Sequence, residues 1–112
     1  MKTKENVNLI IIEEFKLETE VLKAKKEKCD KLYNKLSKKR IELITTLNQL
    51  REDLYKNGIV AYNKNNEQFS DLVNSIKELE DSQYDLLILG STLELEIQQK
   101  TKTYERLKDY NE

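Results

Sequence analysis

Apolar side chains recur at seven-residue steps through both halves of this chain, and that spacing restricts the fold more than any other feature of the sequence. In the first half Phe15, Leu22, Cys29, Leu36, Leu43 and Leu50 lie seven apart. A second series, Ile12, Thr19, Lys26, Tyr33, Arg40, Leu47 and Leu54, keeps the same step. In the second half Leu72, Leu79, Leu86, Leu93, Lys100 and Leu107 form one series, and Phe69, Ile76, Gln83, Gly90, Ile97 and Tyr104 the other. Alternating steps of three and four place both series on one narrow face of an α-helix, the seam of a coiled coil. A strand, whose faces alternate every second residue, gains nothing from such a pattern.

Composition points the same way. Proline is absent, there are only two glycines, and charged residues make up 37% of the 112 residues. Sandwiches and barrels need turn residues at short intervals, which this chain lacks. The fold class expected is all-α, a single antiparallel two-helix coiled-coil hairpin. Asn57-Gly58 is the one strong breaker, because glycine just past a periodic segment reaches positive φ without a Cβ clash. Asn65 with Gln68 reads as the capping start of a second helix. These signals predict helix one over about 4–57, a turn over about 58–63 and helix two over about 62–109.

Two such helices joined by a short connection fold back on each other. Antiparallel packing leaves two registers, in which facing residue numbers total 119 or 126. The second sets Lys26 against Lys100 and Asp30 beside Glu94. The first avoids both clashes, sets Leu22 on Ile97 and Cys29 on Gly90, and brings Lys23 near Glu94. Charge agrees: residues 23–40 carry nine Lys or Arg against Glu27 and Asp30, whereas residues 79–96 carry five acids and no base. Such pairs select orientation more than they stabilise. Gln83 and Arg40 interrupt the seam as polar residues that penalise wrong registers, and Arg40 and Lys26 are expected to send their charged ends over the helix edge.

Catalysis has little to work with. Histidine, the commonest general base and metal ligand, is absent. Cys29, the only thiol, sits at a seam position that predicts a small buried hydrophobe. No phosphate-cradling glycine loop is present. No catalytic residue, cofactor, metal ligand or small-molecule substrate is therefore expected. The longest aliphatic runs, Leu9–Ile12 and Leu86–Leu89, fall far short of a membrane span, and Glu13 and Glu14 cut the first short. A lone cysteine and no signal peptide make a cytoplasmic location the expectation.

What remains is surface. Leu17, Val21 and Ala24 lie off the seam of helix one, level with Leu95 and Ile88 on helix two, with Tyr84 and Leu87 beyond. Tyr104, Leu107 and Tyr110 gather at the open end. Gly90 forms a small layer with Cys29, read either as close helix approach or as a notch for a bulky partner side chain. These ten residues other than Ala24 and Cys29 are the candidate contacts for a protein partner, or for a homodimer closing into a four-helix bundle. Lys28, Lys31, Lys35 and Lys38 make an outward ridge with the spacing of an anion grip. With no aromatic interleaved to stack bases, and a net charge of −1, nucleic acid is the weaker reading of that ridge.

The function expected is therefore a non-enzymatic protein–protein interaction module, an adaptor, small chaperone or assembly scaffold. In size and mid-chain turn the chain resembles small secreted helical hairpins of the ESX type, which implies an export-associated role. Tyr55-Lys56-Asn57-Gly58 stands where that family has Trp-x-Gly, and Lys108 stands four after Tyr104 where its signal has an acid. Coiled-coil stalk proteins of type III export are similar in architecture. A nucleic-acid-associated or regulatory protein using the lysine ridge is the third class.

Overall fold

The structure is a computed structural model. It describes the backbone of Lys2–Asn111 and the side chains of residues 9–56 and 66–110. Helical backbone runs through α1 (Lys2–Asn111). A straight helix of that length would hold Glu18 about 120 Å from Lys100, at 1.5 Å per residue. Instead the Lys100 ammonium lies 2.6 Å from the Glu18 carboxylate. The chain therefore doubles back, and its two helical arms pack against each other as an all-α helical hairpin. Among the described side chains the innermost pairing across the arms is Arg51 over the Phe69 ring, 5.7 Å from its centre. The reversal sits between them. The expected turn residues 58–63, with Asn57 and Asn65, lie outside the described side chains.

Two compact units divide the chain. Unit 1 joins Met1–Asp30 with Ile88–Glu112. Its seam buries Ile12, Leu22, Cys29, Leu93 and Ile97, and Leu22, Leu93 and Ile97 form one contiguous cluster. Cys29 faces Gly90: a Cβ built on the glycine would lie 3.8 Å from the sulfur. Both Leu22 with Ile97 and Cys29 with Gly90 total 119, the register that keeps Lys26 away from Lys100. Thr19 is buried without penalty, because its hydroxyl donates to the Phe15 carbonyl at 2.7 Å within the same helix. Phe15 takes the Lys100 ammonium over its ring, 5.3 Å from the centre, so that seam lysine is covered on one side and ion-paired on the other.

Unit 2 comprises Lys31–Leu87. It buries Leu47, Leu50 and Ile76, with Leu36, Leu43, Leu72 and Leu79 half-buried beside them. Gln83 is the most deeply buried polar residue described, 3% exposed. Its amide nitrogen donates to the Ser37 hydroxyl and, at 3.4 Å, to the Tyr33 carbonyl. Its amide oxygen is buried with no hydrogen-bond partner. Arg40 is half-buried, and its Nε is covered and without a hydrogen-bond partner. A seam between only two helices leaves no described side chain wholly enclosed.

Candidate interaction surface

The heptad positions that bury the seam residues also fix where the remaining side chains stand. On a two-helix pair the outermost positions of each arm face away from the seam, and the flanking positions line its two edges. In unit 1, Leu17 and Val21 occupy the outer side of the first arm at 59% and 54% exposed. Ile88 and Leu95 occupy the outer side of the second arm, with Leu95 61% exposed. These residues make two stripes on opposite sides of the seam rather than one patch. Leu9, Ile10 and Ile11 are also exposed, at three consecutive positions that sweep round the first arm.

The other candidates of unit 1 divide between seam and surface. Tyr110 is almost fully exposed, whereas Tyr104 and Leu107 are half-buried at seam positions. Gly90 is half-buried against Cys29, and an added methyl there would make ordinary van der Waals contact. The layer is thus small, with Cys29 Sγ the one neighbour such a methyl would meet within 4 Å. In unit 2, Tyr84 and Leu87 are exposed on the second arm, and Ile41, Ile44 and Val73 are exposed near the opposite end of the seam. Lys28 in unit 1, and Lys31, Lys35 and Lys38 in unit 2, all stand exposed.

An open groove on the edge of unit 1 was not visible in the heptad pattern. Lys16, Lys23 and Lys108 line it with Glu20, Glu105 and Tyr104. Three ammonium groups and two carboxylates share it, so its field is mixed and favours neither a simple anion nor a cation. Of its three lysines only Lys23 stood out in the sequence, as a charge placed near Glu94. Nearby, Lys26 leans out of the seam and pairs with Glu94 at 2.9 Å. The hydrogen bond from Lys26, and then its charge, hold the Glu94 carboxyl below the ordinary carboxylate value. The same hydrogen bond raises Lys26 above the ordinary lysine value. Lys23, the partner expected for Glu94, adds only a weaker pull from a distance.

Among the described residues no three or more Asp, Glu or Cys side chains gather as metal ligands would. None of the described helix is long and apolar enough to cross a membrane. Cys29 is a buried thiol, not a disulfide. Compared with known proteins, the chain matches no family model, no curated protein and no solved structure.

Proposed function

We propose that this chain is a non-enzymatic interaction module: a helical hairpin that docks another helix on its outer sides, as an adaptor, small chaperone or assembly scaffold does. The observation that carries the reading is the pair of aliphatic stripes in unit 1, where Leu17, Val21 and Leu95 each leave more than half their surface to water. Solvated faces of a two-helix pair are normally polar, and an apolar stripe there finds its gain when a partner helix covers it. Each such side chain is worth about 1.5–3 kcal/mol when fully buried, so the two on either side supply part of the affinity for a partner helix. The test is capture of a stoichiometric partner by the intact chain, followed by cross-linking. A Leu17→Gln, Val21→Gln, Leu95→Gln variant with unchanged helicity should lose the partner. If it binds as well as the parent, the stripes are not the docking face.

A homodimer closing into a four-helix bundle is a second form of the same reading. The exposed Ile44, Val73 and Leu87 of unit 2 favour it, because they sit on the edge that such a bundle would bury. The export-associated reading keeps the hairpin and changes only the compartment; recovery from culture medium would support it.

A further inference from the structure

Unit 2 carries opposite charge on its two outer sides. Lys31, Lys35 and Lys38 are exposed on the outer side of the first arm, at steps of four and three residues. Glu78, Asp81 and Asp85 are exposed on the outer side of the second arm, at steps of three and four. Asp71 continues the acidic row, and Lys77 stands exposed beside it. The two rows lie across the seam from each other, so each presents its charge outward.

Run antiparallel, the rows have the same spacing. Lys31 falls opposite Asp85, Lys35 opposite Asp81 and Lys38 opposite Glu78. We propose that a second copy of this chain docks side by side on the first, with the lysine row of one copy against the acidic row of the next. A shift of one heptad one way sets Glu42 against Asp81, whereas a shift the other way costs only the Lys35 pair, since Lys31 then meets Glu78 and Lys38 meets Asp71. Exposed ion pairs contribute little one by one, so here the row acts together to set the orientation of the two copies. Because the two faces in contact differ, the arrangement is head-to-tail and continues into a ring or an open array.

This assignment rests on the interaction reading and names its partner. Two charge-reversed variants test it by sedimentation at low and high salt, with helicity monitored throughout. Lys31→Glu, Lys35→Glu, Lys38→Glu makes both outer sides acidic, and Glu78→Lys, Asp81→Lys, Asp85→Lys makes both basic. The parent should self-associate, roughly ten-fold more weakly at high salt. Each variant alone should stay dissociated, a mixture of the two should associate again, and a chain carrying all six changes should behave as the parent. A mixture that stays dissociated, or a six-fold variant that fails to recover, overturns the proposal. So does a parent that stays monomeric at low salt while its lysine row binds a DNA duplex. If association fails these tests but Leu17, Val21 and Leu95 still govern capture of another protein, the interaction reading stands without this one. A chain that neither associates nor captures loses both.

Discussion

Gly90, Gln83 and Lys26 show how much a single seam position can carry. Glycine within a helix costs about 1 kcal/mol relative to alanine. The space beside Cys29 admits a methyl at 3.8 Å. Gly90→Ala should therefore stabilise the chain by about 1 kcal/mol, read from denaturant unfolding; destabilisation would mean that close approach of the arms is needed there. The pairing of Gly90 with Cys29 was legible from the heptads, since it needs only register. The partner of Lys26 was not. Its seam position said that the ammonium must leave over an edge, but the choice of Glu94 over other acids depends on side-chain reach, which spacing does not encode. Glu94 is held below 4.5, so its contribution is complete above that pH and is lost as pH falls through its lowered value. Lys26 is raised above 10.5, so its share is complete below that pH and is lost as pH rises through the raised value. Lys26→Met should move the Glu94 titration midpoint, followed by NMR, back up toward 4.5; an unmoved midpoint would deny the ion pair.

At the scale of the helix, the apolar repeat determined which face turns inward, and the buried set of each unit consists almost entirely of the two heptad series. Polar seam residues resolved less predictably. Gln83 was legible as a register device, but its bond to Ser37 and the lone amide oxygen depend on rotamers. A buried acceptor without a partner costs roughly 1–3 kcal/mol, more than a typical net hydrogen bond returns. Gln83→Leu should consequently raise unfolding stability by about 1 kcal/mol. A clear loss would show that the Ser37 and Tyr33 bonds outweigh the orphaned oxygen. The outer sides were half legible: the aliphatic and lysine residues stood out, but the division of Leu17 and Val21 from Ile88 and Leu95 follows only once the arms are paired.

For the molecule as a whole, everything depends on the chain reversing direction between Arg51 and Phe69, because continuous helical hydrogen bonding alone fits a single extended rod equally well. The pairs Lys26–Glu94, Lys100–Glu18 and Gln83–Ser37 exist only in the folded-back chain. So do the outer stripes and charged rows as faces of a hairpin. Spin labels at Lys25→Cys and Glu96→Cys, with Cys29→Ala and an excess of unlabelled chain to dilute contacts between copies, measure this by pulsed dipolar spectroscopy. Adjacent antiparallel arms predict a separation below about 35 Å, from an interaxial distance of roughly 10 Å plus the labels. A separation near the roughly 105 Å of an uninterrupted helix would contradict the account.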